Sequence, residues 1–171
     1  SPLLLPLLLL LGPILPGLGA RAGASPPVMG WSTWCTQQTC SDYSRMPLDW
    51  CSSGEVLDVA RAMREEGLLA AGYDHILLDD CWGVRDPATQ RITWDADRFP
   101  EGMPWLVRQV HALGFRFGLY TAVGRHACHW NDPSWPTAVN FTGSWPHYAR
   151  DARAFVDWEV DYVKLDDCGP W

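Results

Sequence analysis

Four short apolar runs along the chain predict β-strands. They lie at residues 28–31, 75–78, 115–121 and 162–166. Residues 76–78 are wholly apolar, and β-branched or aromatic residues recur in the other runs, as is typical of strands that pair in a buried parallel sheet. The stretches between the runs have a different period and predict helices.

Three helices follow from caps and apolar spacing. Ser52, with Glu55 three residues later, forms a capping box at the start of the first helix, and Gly72 closes that helical region. Pro104 suits the first position of the second helix, and Gly114 suits its carboxyl cap. The apolar stripes of the three helices are Val56, Val59, Ala60 and Met63, then Leu106, Val110 and Leu113, then Tyr148, Ala152 and Phe155. The segments 33–51, 83–102 and 122–146 are predicted as loops.

The order of four strands, with one helix between successive strands, predicts a parallel sheet with right-handed crossovers. A (β/α)8 TIM barrel repeats this unit eight times and takes about 250 residues. We therefore expect an α/β barrel of which only about the first four βα units are present in these 171 residues. An open doubly wound sheet is the alternative, although the chain has no G-x-G-x-x-G or phosphate-loop motif.

Two of the predicted strands lead into the same sequence, Asp-Asp-Cys. Asp79 and Asp80 follow the second strand, and Asp166 and Asp167 stand at the end of the fourth. A single pair of this kind is equally well explained by a turn or a helix cap. Because the carboxyl ends of parallel strands lie at the same edge of a sheet, the repetition predicts a pocket where these acids converge.

Residues 1–24 have the pattern of a secretory signal peptide. Residues 3–11 are almost entirely leucine, and small residues with A-x-A spacing follow at 20–24. The apolar stretch is too short for a membrane span, which takes about 20 residues. A disordered Leu/Pro leader is the alternative. Since the chain begins with Ser and has no basic segment before the leucines, we expect the amino end of the signal to be missing.

The net charge and the tryptophan content indicate which kinds of ligand the protein binds. The net charge is −7, and no basic stripe is present, which argues against nucleic acid. Eleven tryptophans are many for this length. Those in or beside predicted loops suit a sugar-binding cleft, while core packing is the default expectation for any single one. They are Trp31, Trp34, Trp82, Trp130, Trp135 and Trp145.

Six cysteines, an even number behind a secretory leader, favour disulfides over thiols. A metal site at His126, Cys128 and His129 is the competing interpretation, but it lacks the paired C-x-x-C spacing of structural zinc sites. Asn140 begins an N-glycosylation sequon, in keeping with secretion.

Six motifs together carry a family resemblance. They are MGWSTW at residues 29–34, LDDCW at 78–82, RFPEGM at 98–103, LGFRFGLYTAVG at 113–124, TGSWPHY at 142–148 and DYVKLDDC at 161–168. In this order they resemble glycoside hydrolase family 27, the α-galactosidase and α-N-acetylgalactosaminidase group. The resemblance implies a (β/α)8 barrel followed by a β-sandwich domain, with residues 25–171 as the amino-terminal half of the barrel. It also implies an exo-acting, retaining hydrolase of terminal α-linked galactose.

The resemblance assigns the reaction to the last predicted strand. Asp166 matches the catalytic nucleophile, whose carboxylate would form a covalent glycosyl-enzyme. Lys164 lies on the same face of the strand and matches a sugar-contacting lysine, and its ammonium would favour ionised Asp166. Asp167 departs from several relatives, which carry Asn or Gly, and strand alternation is expected to point it away from the site.

Substrate binding is assigned to residues from other strands. Asp79 and Asp80 match the pair that binds the 4- and 6-hydroxyls of galactose, and a sugar with the wrong hydroxyl orientation would leave a buried charge unpaired. Trp34 and Tyr120 match aromatic residues that line the pocket. The resemblance further implies three disulfides, which are Cys128 with Cys168, Cys40 with Cys81, and Cys35 with Cys51.

The resemblance places the acid/base carboxyl beyond residue 171, so we expect this piece of chain to lack it and to be inactive alone. The loop that separates galactose from N-acetylgalactosamine also lies beyond this residue, which leaves α-N-acetylgalactosaminidase as an alternative. A catalytically inactive carbohydrate binder and a secreted interaction module stabilised by disulfides are two others. The expected partner is an α-galactoside, with no cofactor, metal, nucleic acid or membrane span, and with room for a homodimer of the full-length protein. Secreted, lysosomal and vacuolar destinations in the secretory pathway all fit the leader.

Overall fold

The computed structural model describes residues 27–34, 51–128 and 142–167. In chain order its elements are β1 (Gly30–Ser32), α1 (Ser53–Glu65), β2 (His75–Leu78), β3 (Gly83–Arg85), β4 (Ile92–Trp94), α2 (Met103–Ala112), β5 (Arg116–Ala122), α3 (Tyr148–Asp157) and β6 (Tyr162–Asp166). The predicted order of four strands and three helices is confirmed.

Strands β1, β2, β5 and β6 form one parallel sheet in which each strand lies beside the one before it. A doubly wound sheet reverses its strand order at a switch point. Among these four strands there is no reversal. The arrangement is that of a barrel wall.

Helix α1 starts where the sequence predicts, and both ends of α2 agree with the prediction, with Pro104 in its first turn and Gly114 directly after its cap. The Ser52 Oγ accepts the N–H of Glu55 at 3.2 Å, which starts α1. The helix ends at Glu65, earlier than Gly72 predicts, because Gly67 takes a left-handed φ of 80° and lets the N–H of Leu68 bond back into the last turn. Among the described residues, no helix has both the length and the apolar composition of a membrane span.

The core lies between the helices and one face of the sheet. Alternate strand residues on this face are completely buried, and so are the inward residues of α1 and α2. They include Ile76, Leu78, Phe117, Leu119, Val56, Ala60, Leu106, Val107 and Val110. Full burial of such a side chain contributes about 1.5–3 kcal/mol. This layer therefore holds the sheet together and leaves the opposite face, called the inner face below, free for polar groups.

One predicted loop contains secondary structure. Strands β3 and β4 pair antiparallel within residues 83–102, and each has only three residues, too few for a period to be recognised. The Asp86 Oδ1 closes the turn between them by accepting the N–H groups of Ala88 and Thr89 at 3.0 and 2.6 Å.

Helix α3 turns its predicted stripe towards β5 and β6, where Tyr148, Ala152 and Phe155 line one cavity with Thr121, Val163 and Leu165, but only part of the stripe is buried. Phe155 is buried, but Tyr148 is 43% exposed and Ala152 is exposed. The buried position is taken instead by Asp151, which receives two hydrogen bonds of 3.1 and 2.6 Å from the guanidinium of Arg85. An ion pair rather than an apolar stripe thus holds α3 against β3.

Trp82 lies in the core and does not line a sugar-binding cleft. It is 2% exposed and makes edge-on contacts with Phe155 and Trp158 at centroid distances of 6.2 and 6.1 Å. Its indole N–H donates to the backbone oxygen of Tyr120 at 3.1 Å. Core packing, the default expectation for a single tryptophan, therefore applies to Trp82.

The Arg85–Asp151 pair provides a test of this packing. Because the two side chains are only 5% and 1% exposed, Asp151→Ala leaves a buried guanidinium without its carboxylate. We expect the free energy of unfolding of the full-length protein to fall by about 3–5 kcal/mol in denaturant titration. Asp157→Ala, an exposed carboxylate on the same helix, is the matched control and should change stability by under about 0.5 kcal/mol. Equal stability of the two variants would contradict the assignment.

Candidate active site

The register of the sheet aligns four of the predicted site residues. The register pairs of the sheet include Ser32 with Leu77, Leu78 with Leu119, and Tyr120 with Lys164. Continued to the strand ends, this register puts Trp34, Asp79, Tyr120 and Lys164 in one row across the four strands. Since side chains alternate between the faces of a sheet, all four belong to the inner face. Asp166, level with Ala122 on β5, belongs to the same face one step nearer the edge.

The ammonium group of Lys164 joins these side chains. Its Nζ donates to the Asp79 Oδ2 at 2.9 Å and lies 3.6 Å from the Asp166 Oδ2. The ring centroids of Trp34 and Tyr120 are 5.3 and 5.1 Å from the same atom, within the range of cation–π attraction. One cation therefore links two carboxylates and two aromatic rings from four strands.

Charge neighbours keep this lysine protonated. Burial lowers the pKa of Lys164, but the hydrogen bond to Asp79 and the charges of Asp79 and Asp166 outweigh burial and hold the pKa above its ordinary value. Lys164 is therefore a fixed cation at neutral pH. It supplies charge and a hydrogen-bond donor to the site.

Asp79 is held from several directions. It is 1% exposed, and its Oδ1 accepts the N–H of Asp80 at 2.9 Å. Its own N–H donates to the Thr33 Oγ1 at 2.8 Å, so a buried threonine from the end of β1 positions it. The role of Thr33 was not predicted from the sequence. Its position between Trp31 and Trp34 was the feature that could have indicated it. A carboxylate has about four acceptor positions, so Asp79 retains capacity for a hydroxyl donor.

Tyr120 offers its ring to the inner face while its hydroxyl is engaged elsewhere. The hydroxyl donates to the Cys128 Sγ at 2.7 Å and accepts the N–H of Cys128 at 3.1 Å. Burial raises the pKa of Tyr120 far above its usual range, and the charge of Asp80 raises it further. The phenol therefore stays protonated, and Asp80, itself 3% exposed, lies within electrostatic reach of the ring.

The disulfide next to the acids differs from the prediction. Cys81 is bonded to Cys51, with a Cα–Cα distance of 6.3 Å, so the predicted pairs Cys40 with Cys81 and Cys35 with Cys51 are both wrong. The physical reason is topological. Cys51 precedes the first turn of α1, and a crossover helix begins at the carboxyl edge of the sheet, where Cys81 also lies. Cys35 and Cys40 are outside the described residues.

Backbone strain accompanies this disulfide. Cys81 has a φ of 146°, a value rare outside glycine that costs about 1–3 kcal/mol. The covalent link to Cys51 and complete burial hold the residue in this conformation. The strained residue directly follows Asp79 and Asp80, so it fixes the direction in which the chain leaves them.

Several remaining predictions, on cysteines, a metal site and glycosylation, involve residues that the structure does not describe. Cys128 is disulfide-bonded, so it offers no thiolate to the metal site considered with His126 and His129. Its predicted partner, Cys168, is outside the described residues, as are His129 and the predicted glycosylation site Asn140. Within the described ranges, no cluster of three or more His, Cys, Asp or Glu side chains has the arrangement of a metal site.

Asp166 is the more accessible acid of the site. Its side chain is 36% exposed, whereas that of Asp79 is 1% exposed. Its Oδ1 accepts the N–H of Asp167 at 3.0 Å, and its backbone oxygen accepts the N–H of Val123 at 2.8 Å. The site thus combines one accessible carboxylate with a buried, charge-paired carboxylate. Such a pair can present a nucleophile beside acceptors for hydroxyl groups.

Comparison with known proteins identifies relatives along nearly the whole chain. A family model described as Melibiase_2, alpha galactosidase A, matches residues 26–170. Alpha-galactosidase mel1 of Schizosaccharomyces pombe is 35% identical over 154 residues, which is 89% of this chain and 30% of that protein. A probable alpha-galactosidase A of Aspergillus terreus is 38% identical over 145 residues, which is 83% of this chain and 23% of that protein. The chain thus spans less than a third of the length of these relatives.

Solved structures show the same correspondence. Alpha-galactosidase MEL1 of Saccharomyces cerevisiae superimposes with a TM-score of 0.68 and 30% identity, over 83% of this chain and 27% of that one. Alpha-galactosidase I of Mortierella vinacea gives a TM-score of 0.68 and 28% identity, over 83% of this chain and 31% of that one. These matches confirm the predicted α/β architecture as part of a (β/α)8 barrel. By the match over residues 26–170 and these relatives, the chain belongs to the alpha galactosidase A family, as the sequence motifs indicated.

Proposed function

We propose that the full-length protein hydrolyses terminal α-linked galactose with retention of configuration, through a covalent glycosyl-enzyme on Asp166. The observation that carries this proposal is the accessible carboxylate of Asp166 at a strand tip, 3.6 Å from the Lys164 Nζ and on the same face as Asp79. A relative with 30% identity was solved with raffinose, an observation on that protein that supports a galactoside substrate here.

Asp166 is the proposed nucleophile because it combines access with a neighbouring cation. Its carboxylate attacks the anomeric carbon from the face opposite the leaving alcohol, which departs with a proton from the acid/base carboxyl. Water then gives a proton back to that carboxyl and enters from the face that the alcohol left, so the second inversion breaks the glycosyl ester and restores the original configuration. Lys164 places a positive charge 3.6 Å from the attacking carboxylate. Asp79 in turn keeps Lys164 charged, since it forms the shorter of the two contacts.

Asp79 and Asp80 are proposed to recognise the hydroxyl groups of galactose, with Trp34 and Tyr120 as apolar walls. Both acids are almost fully buried, so a sugar that fails to donate hydrogen bonds to them would leave charge unsatisfied. This arrangement selects sugars by the orientation of their hydroxyl groups. Recognition of the substituent at carbon 2 is assigned to other parts of the protein.

Retention also takes an acid/base carboxyl about 5–5.5 Å from the nucleophile. We propose that this carboxyl is supplied from outside the described residues, because the Asp79 carboxylate is already paired with Lys164. As the family resemblance implies, we place this carboxyl beyond residue 171, and on this proposal the 171 residues alone are inactive. We also propose that residues 1–24 direct the protein into the secretory pathway and that Asn140 is glycosylated there.

Replacing Asp166 tests the nucleophile. In the full-length protein we expect Asp166→Ala to lower kcat on p-nitrophenyl α-galactoside by about three orders of magnitude or more. Added azide should restore turnover and yield β-galactosyl azide, identified by NMR, because the small anion takes the place of the missing carboxylate. Asp167→Ala, which changes the adjacent exposed acid, should retain most of the activity. An active Asp166→Ala enzyme that still releases α-galactose would refute the assignment.

Replacing Lys164 tests its electrostatic role. Lys164→Met removes the cation that lies between Asp79 and Asp166 and leaves the buried Asp79 without its charge partner. We expect kcat/KM on p-nitrophenyl α-galactoside to fall by about 10- to 100-fold, the loss that corresponds to one hydrogen bond to a charged group. Lys164→Arg keeps the charge and should retain more of the activity. Equal kcat/KM values for the two variants would contradict an electrostatic role of the lysine.

A further inference from the structure

A basic groove lies between helix α3 and the β3–β4 hairpin, apart from the inner face. Its volume is about 620 Å³. Among the described residues that line it, Arg91, Arg150, Arg153 and His147 face a single carboxylate, Asp157. The net charge of the chain is −7, so this groove has the opposite sign to the molecule as a whole.

Two of the arginines are tethered by backbone oxygens. The Arg150 Nη1 donates to the Thr89 oxygen at 2.8 Å across the groove, and the Arg153 Nε donates to the Ala149 oxygen at 3.2 Å. A guanidinium has five N–H donors, and each of these bonds uses one of them. The tethers therefore position the side chains while leaving most of their donor capacity for another group.

A second cavity of about 380 Å³ continues the groove past Pro146 and His147, which line both. Arg125 lies over the ring of Trp145 there, with its Cζ 4.4 Å from the ring centroid. Arg85 also lines this cavity, but Asp151 balances its charge.

The surroundings of His147 indicate the sign of the local potential. Burial lowers the pKa of His147, and the charges of Arg85, Arg150 and Arg125 lower it further against the opposing effect of Asp151. Cations therefore outweigh carboxylates where the two cavities meet.

One end of the groove, at Pro146 and His147, lies at the same edge of the sheet as the candidate active site. Helix α3 crosses back from β5 to β6, so its first turn lies at the carboxyl ends of these strands. The segment before it is bonded to the end of β5, with the Ser144 N–H to the Ala122 oxygen at 2.8 Å and the Trp145 N–H to the Gly124 oxygen at 3.2 Å. Ala122 is the register partner of Asp166. The end of the groove at Pro146 and His147 is therefore linked through this segment to the strand that pairs with the Asp166 strand.

We propose that the groove binds an anionic substituent, such as a sulfate or phosphate ester, on the leaving-group side of a glycan whose terminal galactose occupies the site. Guanidinium groups present paired donors that match two oxygens of such an anion, and several of them converge here from two elements. This inference rests on the proposed function, since it assigns the galactose end of the same ligand to the inner face. It adds a preference for galactosides that carry such an anion on the leaving-group side, which the inner face alone does not provide.

The test compares two substrates of the full-length enzyme at low ionic strength, α-galactosyl-(1→4)-glucose and its 6-sulfate on the glucose unit. We expect KM to be about fivefold lower for the sulfated substrate, the size of effect that exposed charge pairs produce. The double variant Arg150→Gln/Arg153→Gln should abolish this difference and leave KM for the neutral substrate unchanged. Arg108→Gln, an exposed arginine on α2, is the matched control and should preserve the difference. High salt should also remove the difference by screening.

A binding experiment separates failure of this inference from failure of the proposed function. Methyl β-glucoside 6-sulfate, titrated by NMR into the parent protein and the double variant, reports on the groove without hydrolysis. Binding that is lost in the double variant supports the groove even if neither disaccharide is hydrolysed, an outcome that would refute the proposed function alone. Equal KM values, or a preference that survives the double substitution, would overturn the groove assignment. Displacement of the sulfated glucoside by hexaglutamate at equal concentration would also overturn it, in favour of an acidic peptide ligand.

Discussion

Strands β1, β2, β5 and β6 run parallel and in register, so alternate side chains of all four strands divide between two faces. On one face, apolar residues pack against α1 and α2 and supply most of the stabilisation. On the inner face, polar residues from different strands come level with one another. A slip of one residue between two strands would send the site residues of one strand to the helical face. The same register that builds the core therefore also assembles the site.

Burial of charge links stability to chemistry in this arrangement. A carboxylate as buried as Asp79 is strongly unfavourable without a partner, and Lys164 from the far strand provides it. The ammonium that compensates Asp79 is thereby placed beside Asp166. In the proposed mechanism this is useful, because the nucleophile sits next to a cation whose protonation does not change near neutral pH. One buried ion pair serves both the fold and the reaction.

A second buried pair organises the periphery. Arg85 and Asp151 join the hairpin in the loop after β2 to the helix after β5, and the Arg85 Nη2 also binds the Gly143 oxygen at 3.0 Å. These contacts fix the segment around Trp145 and His147, where the proposed anion groove begins. The disulfide between Cys51 and Cys81 acts at the other side of the hairpin and ties the start of α1 to the turn after Asp80. Loops at the carboxyl edge are thus held by specific links, while the layer beneath them is held by apolar packing.

The sequence by itself determined the fold class, the order of strands and helices, the cap at Ser52 and the acids at the strand tips, because periodicity, capping and motif spacing are local properties. It also indicated the family, whose motifs named Trp34, Asp79, Tyr120, Lys164 and Asp166 before their proximity was known. Tertiary structure decided the register that brings these residues around one ammonium group, the partner of Cys81, the burial of Asp151 in place of Tyr148, and the packing of Trp82 in the core. Each of these depends on which distant segments lie side by side, and a side chain's partner across 30 or more residues has no local signal in the chain.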